Sequence, residues 1–302
     1  MRNLLNTLKW AESKGIALGH FNIAGFEQFK AVAETARSIN LPVMIGVSEG
    51  EREYLGVKLV RDWVSSYNEE YGDKENDGGF WLFLNADHTH DLKKVKEAAE
   101  SVFDEILFDG GKLPLEENIK QTKEAVNLIK SANPDILVEG EMGYIGSSSE
   151  VRSDIPEGAA IRPEDLTKPD EALRFVEETN IDLFAPAVGN IHGMFSNVPD
   201  PGLNIERIKE IKESLRKIPG KEIYLVLHGG SGNTEEDFLK AIDAGISVVH
   251  ISTEIRVAWR KGLESGLKNN PNEVAPYKVM PESIEDMKEV IEKKLKLFAK
   301  IN

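Results

Sequence analysis

The chain has 302 residues, with 37 Lys and Arg against 52 Asp and Glu, a formal net charge of −15, and 40% hydrophobic residues. So acidic a balance argues against nucleic acid or an anionic membrane as the main partner, although local charge in a cleft can still attract an anionic small molecule. There is no cysteine, which rules out disulfides and thiolate metal sites and leaves His, Asp or Glu to hold any catalytic metal. The length suits one large α/β barrel of roughly 250 residues plus insertions, and two smaller domains would also fit.

In chain order, the opening MRNLLNTLKWAESKG reads as a short amphipathic helix without the apolar stretch of a signal peptide. No segment approaches about 18 consecutive apolar residues, so a cytoplasmic, soluble protein is expected. Eight short apolar runs follow: IALGHF, LPVMIGVS, FWLFLNAD, EILFDG, DILVEGEM, IDLFAPAV, EIYLVLHG and ISVVHIS. Between them lie stretches with apolar residues at helical spacing, among them Phe26 to Ile39, Leu92 to Ser101, Glu116 to Lys130 and Ile205 to Leu215. Eight βα units in series predict a parallel sheet buried on both faces and closed into a (β/α)8 TIM barrel, with an open doubly wound sheet as the alternative. No composition shift marks a linker, so residues 1–302 are expected to form one domain. Tyr67 to Gly79 reads as a polar solvent loop before the third strand. Ser147 to Lys168 is long for a βα connection, as lids often are. The tail after Pro281 predicts one closing helix, with Ile284, Met287, Ile291, Leu295 and Phe298 on one face.

In such a barrel the site forms where the strands end. The candidates there are His20 and Asn22, Ser48, Asp87 and His88, Asp109, Glu139 and Glu141, Asn190 and His192, His228, and His250 and Ser252. All six histidines fall at or just beyond a strand end, His90 lying two residues after His88; random placement would scatter several onto helix surfaces. Any one of them alone could be a satisfied structural residue. His88, His192 and His228 make the best ligand trio, since three protein ligands and an open position are what a catalytic zinc needs. Asp109 and Glu141 are candidates to orient those ligands, or else simple helix caps. HGGSG after the seventh strand and ISTE after the eighth are candidate phosphate loops, with Gly193, Gly229, Gly230, Ser231, Ser252 and Thr253 offering amides or hydroxyls.

The segments GHFNIAG, LPVMIGVSEGE, NADHTH, LFDGGKLPLEENI, EGEMGYIG, AVGNIHGMF, LVLHGGSG and HISTE, in this order over nearly the whole chain, resemble class II, metal-dependent fructose-bisphosphate and tagatose-bisphosphate aldolases. The resemblance implies that Asp87 is the catalytic acid/base and that His88, His192 and His228 bind Zn2+, with Glu141 and Asp109 as acidic residues near the metal. It implies substrate-side roles for Asn22 and Ser48, and a cradle for the phosphate of dihydroxyacetone phosphate at Gly193, Gly230, Ser231 and Thr253. Three departures stand out. His250 replaces the family's usual Asn, close to the ketose. The lid reads GSSSEVR, leaving Ser149 at the position of an acidic proton carrier and Glu150 one step later as the nearest carboxylate. The final helix, PESIEDMKEV, lacks the Arg that meets a distal phosphate in many relatives; Arg256, Arg260 or Lys278 could substitute.

The expected activity is a zinc-dependent aldolase of carbohydrate metabolism, such as glycolysis. It would cleave or form a ketose (bis)phosphate, fructose 1,6-bisphosphate first, through the enediolate of dihydroxyacetone phosphate. An aldolase for another ketose 1-phosphate and a non-catalytic sugar-phosphate-binding barrel are the alternatives. A metal hydrolase would carry its His-x-His pair after the first strand, whereas His88 and His90 follow the third. A Schiff-base aldolase would need a strand-end Lys, which none of the eight runs supplies. One catalytic zinc, a second divalent or monovalent ion, a small phosphorylated sugar as partner and a homo-oligomer (dimer or tetramer) complete the expectation.

Overall fold

The computed structural model describes residues 3–146, 150–152, 154, 158–195 and 202–301. The strands are β1 (Leu18–Asn22), β2 (Pro42–Val47), β3 (Trp81–Thr89), β4 (Glu105–Phe108), β5 (Leu137–Met142), β6 (Val151–Arg152), β7 (Leu183–Pro186), β8 (Met194–Phe195), β9 (Tyr224–Leu227) and β10 (Ile246–Ile251). Eight of them close a parallel barrel in the order β1-β10-β9-β7-β5-β4-β3-β2, which excludes the open sheet. Each of the eight corresponds to one apolar run of the sequence. Nearly every residue in them is buried on both faces, the condition that makes such runs continuous rather than alternating.

The helices are α1 (Leu4–Lys14), α2 (Phe26–Ser38), α3 (Glu49–Leu55), α4 (Val57–Tyr71), α5 (Leu92–Glu100), α6 (Leu115–Ala132), α7 (Pro169–Thr179), α8 (Ile205–Leu215), α9 (Glu235–Asp243), α10 (Thr253–Asn269), α11 (Pro276–Val279) and α12 (Pro281–Phe298). Helix α1 starts at Asn3, whose side chain accepts from Leu5 N, and ends at Gly15, whose φ of 64° suits the left-handed cap. Its Leu4, Leu8 and Ala11 join Leu18, Met44, Phe83, Leu183, Tyr224 and Val248 in one apolar cluster, separate from the larger one between the sheet and the outer helices. The closing helix is α12, with Met287, Ile291, Leu295 and Phe298 buried. Gly262 lets α10 approach it, because a Cβ there would run into the Ser283 backbone.

Two expectations are corrected. The polar loop begins at Gly72, not Tyr67: α4 runs on through Tyr71. Val64 and Asn68 carry its buried face forward, and the Tyr67 ring packs edge-on against Phe29 and Phe80 at 5.8 and 5.9 Å. The other correction is His20, which lies in the middle of β1 rather than at its end. Within the long Ser147 to Lys168 connection, Ser147, Ser148 and Ser149 lie outside the described residues. Val151–Arg152 pairs in parallel with Met194–Phe195, and Met194 N donates to Glu150 O at 3.0 Å. No helix among the described residues is long and apolar enough to cross a membrane.

Candidate active site

A cleft of about 550 Å³ opens at the C-terminal end of the barrel. It is lined by Asn22, Ser48, Asp87, His88, Asp109, Glu141, His192, Gly193, His228, Gly229, Gly230, Ser231, His250, Ser252 and Thr253; of the candidates read from the sequence, His20, Glu139, Asn190 and Glu150 lie outside the lining. Glu150 is exposed and outside the lining, tied through its carbonyl to the loop that carries His192 and Gly193.

Alternation along a strand would send Asp87 and His88 to opposite faces. Both reach the cleft because β3 carries one extra residue against β4: Ala86 pairs with Ile106 and Thr89 with Phe108. His88 in this bulge has φ of 37°, a conformation rare for a residue with a Cβ and characteristic of sites where side chains are re-aimed. Arg52, buried, braces the bulge: it donates to Val47 O at 2.6 Å, Asp87 O at 3.2 Å and Thr89 Oγ1 at 2.9 Å.

His88, Glu141, His192 and His228 each present one ligand atom within 4.8 Å of the others. His88 Nδ1–H donates to Asp109 Oδ2 at 2.8 Å, which leaves Nε2 inward, 3.3 Å from His228 Nδ1. His228 Nε2–H donates to Glu139 Oε1 at 2.8 Å, which leaves that Nδ1 for the same space. Among the described residues, His192 Nε2 and Glu141 Oε2 are buried without a hydrogen-bond partner. Four donors with their outward atoms tied to carboxylates, or with inward atoms orphaned, fit a divalent ion. Asn190 holds the His192 loop, accepting from Val188 N and donating to His228 O, and Asn118 donates to Glu141 O.

Burial would raise the Asp87 carboxyl, but the imidazoles of His88, His20 and His228 and the Asn22 amide at 2.8 Å hold it well below the usual carboxylate range. Burial pulls His228 down to about 3 and His192 well below 6.5, so both stay neutral, the form that ligates metals. Burial acts the same way on His88, but Asp87, Asp109 and Glu141 outweigh it and raise that imidazole. Beneath the donors, burial pushes Glu139 up to about 7 and Glu105 well above the carboxylate range.

On the other side of the cleft, Gly229 packs its loop against Ile191, where a Cβ would strike the Ile191 carbonyl. Ser231 Oγ accepts from Glu254 N at 3.3 Å, binding this loop to the first turn of α10, and Ser252 Oγ is buried without a hydrogen-bond partner among the described residues. Helix α10 thus brings its N-terminal amides, Thr253 and Ser252 to one place suited to an anion. Of the three substitute cations, only Arg256 lines the cleft; it pairs with Glu51 at 2.6 Å. Arg260 pairs with Glu264 and Lys278 with Glu273, both away from it.

Sequence reasoning missed Glu51, Arg52 and Glu105. For Glu51 the signal was there: Ser48-x-x-Glu51 is a capping box, and both of its bonds form at the start of α3. Glu51 also takes Asn22 Nδ2 at 3.2 Å.

Residues 2–302 match the protein family described as fructose-bisphosphate aldolase class-II. A fructose-bisphosphate aldolase of Staphylococcus aureus (strain Mu50) is 30% identical over 297 residues, 97% of this chain and 95% of its own. A probable fructose-bisphosphate aldolase of Bacillus subtilis (strain 168) is 30% identical over 303 residues, covering 100% and 98%. Among solved structures, the YdjI aldolase from Escherichia coli K12 superposes with a TM-score of 0.78 at 26% identity, over 98% of this chain and 96% of that one.

Proposed function

The chain belongs to the class-II fructose-bisphosphate aldolase family, an aldolase and so a lyase, and from that premise we propose a zinc-dependent enzyme that cleaves and forms fructose 1,6-bisphosphate. The observation that carries the reading is the convergence of four metal donors and Asp87 on one cleft. His88 through Nε2, His228 through Nδ1, His192 and Glu141 would hold the ion, with Asp109 and Glu139 fixing the two rings. Bound there, zinc would supply Lewis acidity toward the ketone oxygen of the substrate.

Asp87, kept ionised and anchored by Asn22, would accept the proton of the hydroxyl on the carbon to be cleaved. As that proton leaves, the C–C bond breaks. The carbon bearing the hydroxyl becomes the aldehyde, and the bonding pair passes to dihydroxyacetone phosphate as its enediolate. The loops with Gly193, Gly229, Gly230, Ser231, Ser252 and Thr253 would take the phosphate of that half, and Asn22, Ser48 and His250 the sugar hydroxyls. Glu150 is our candidate to return a proton to the enediolate carbon. Support for it is its backbone tie to the His192 loop.

One observation favours a second reading within the same chemistry. Arg260 and Lys278 are engaged elsewhere and Arg256 is paired with Glu51, so a ketose 1-phosphate without a distal phosphate is the alternative substrate. The test is a cleavage assay over ketose mono- and bisphosphates with zinc supplied and dihydroxyacetone phosphate read by a coupling enzyme. Cleavage that survives exhaustive chelation would refute the metal-dependent reading. A preference of several thousandfold for the bisphosphate, against about tenfold for one lost charged contact, would refute the second.

A further inference from the structure

Two imidazoles lie face to face at the wall of the cleft. His20 of β1 and His250 of β10 are register partners, with ring centroids 3.4 Å apart and planes 5° from parallel. His20 is fully buried, and its Nε2–H donates to Asn85 Oδ1 of β3 at 2.9 Å. Its ring also presses on Gly46 of β2, where any Cβ would fall inside the ring's van der Waals envelope. Three strands therefore clamp His20, which does not itself line the cleft. His250 does, and among the described residues both of its ring nitrogens are buried without a hydrogen-bond partner. Its Nδ1 is 3.6 Å from Asp87 Oδ1, which likewise has no hydrogen-bond partner among the described residues.

His20, Asp87 and His250 bring ligand atoms within 4.8 Å of one another. Parallel rings 3.4 Å apart share no common plane, however, so an ion at a normal bond length of about 2.1 Å would stand far out of both. The trio is a poor metal site. Buried nitrogens left bare cost free energy unless something arriving in the cleft satisfies them.

We propose that His20 is a positioning residue: its stack holds the His250 ring in the plane where a His250 nitrogen meets a ketose hydroxyl beside Asp87. The inference rests on the aldolase reading above. The Asn usual in the family at the position of His250 would offer a much smaller planar group to a ring beneath it. Here the wider imidazole needs a floor, and β1 supplies one.

A double-mutant cycle tests this in the zinc-loaded full chain. His20→Leu removes the stack, and since favourable aromatic pairs are worth up to roughly tenfold, kcat should fall by no more than about that factor while zinc content stays at the wild-type level and KM moves less. His20→Gln keeps a donor for Asn85 but not the ring and should match it, which covers the case in which the Leu variant fails to fold. His20→Phe restores a ring and should recover kcat to within about threefold of wild type. In a His250→Asn background, His20→Leu or His20→Gln should change kcat by less than about twofold, since there is no ring left to hold. Equal losses in both backgrounds, no loss in the wild-type background, or failure of Phe to rescue would each overturn the inference. Absence of cleavage by the wild-type enzyme on every ketose phosphate would instead sink the aldolase reading itself.

Discussion

At the proposed metal site, Asp109 would not need to touch the ion to decide how tightly it binds. Its Oδ2 accepts the His88 Nδ1–H at 2.8 Å and its Oδ1 accepts Gly111 N at 3.0 Å, with the side chain only 13% exposed. Asp109→Ala frees the His88 ring to turn and removes a negative charge that makes the ring a better donor. A hydrogen bond to a charged group in such a place contributes about 1.5–3 kcal/mol, which at about 1.4 kcal/mol per decade is roughly 10–100-fold in affinity. Because Asp109 borders an open cleft, water can replace part of what is lost, so the lower half of that range is expected. Asp109→Asn keeps an acceptor without the charge and should lose less, about tenfold at most. The assay is zinc competition against a chromophoric chelator at fixed pH, with kcat measured separately at saturating zinc. Zinc affinity of Asp109→Ala within about twofold of wild type, in a variant with unchanged thermal unfolding, would refute the claim that the carboxylate orients His88.

Asp87→Ala should retain zinc and lose turnover by roughly 100-fold or more, the usual size of a lost general acid/base; unchanged turnover with zinc in place discards the role. The raised His88 pKa gives two linked expectations for pH. In the metal-free protein, the stabilisation from protonated His88 is fully present below its unfolded value of 6.5 and is lost as pH rises through the raised folded value, which urea titrations over neutral to alkaline pH will read. Since zinc must displace that same proton, apparent zinc affinity should climb with pH over the same range, and a flat profile contradicts the assignment of His88 as ligand. Glu150→Gln should slow exchange of the dihydroxyacetone phosphate α-proton with solvent; exchange at the wild-type rate moves the proton to another group.

The barrel was legible because burial on both faces leaves runs such as FWLFLNAD with no polar alternation to misread. That His88, His192 and His228 cluster was legible because strand ends in this architecture converge on one face of the barrel. What the runs do not mark is where a strand bulges. The extra residue between Ala86 and Thr89, and with it the reason Asp87 and His88 share one cleft, depends on register against β4 and on the brace from Arg52. His20 was misplaced for a related reason, since an apolar run shows that a strand exists but not that it continues to Asn22. Tyr67 looked like the start of a loop because its partners, Phe29 and Phe80, lie far away in sequence. Glu105 opens a strand, where a lone acid ordinarily reads as a solvated edge, and only closure of the barrel puts it beneath Glu139.

The bulge in β3 makes Asp87 and His88, the proposed proton carrier and a proposed metal ligand, inseparable. A side chain on a strand points one way or the other, so the device that admits both residues is all or nothing: a single inserted position sets the phase of everything after it. The two residues between Ala86 and Thr89 are Asp87 and His88 themselves, so the extra position cannot be removed without losing one of the pair. Strict alternation in β3 would leave room for either the proposed acid or the proposed metal ligand, but not for both side by side. Substitutions at Asp87 or His88 can tune each group separately, but the backbone offers the pair to the substrate only together.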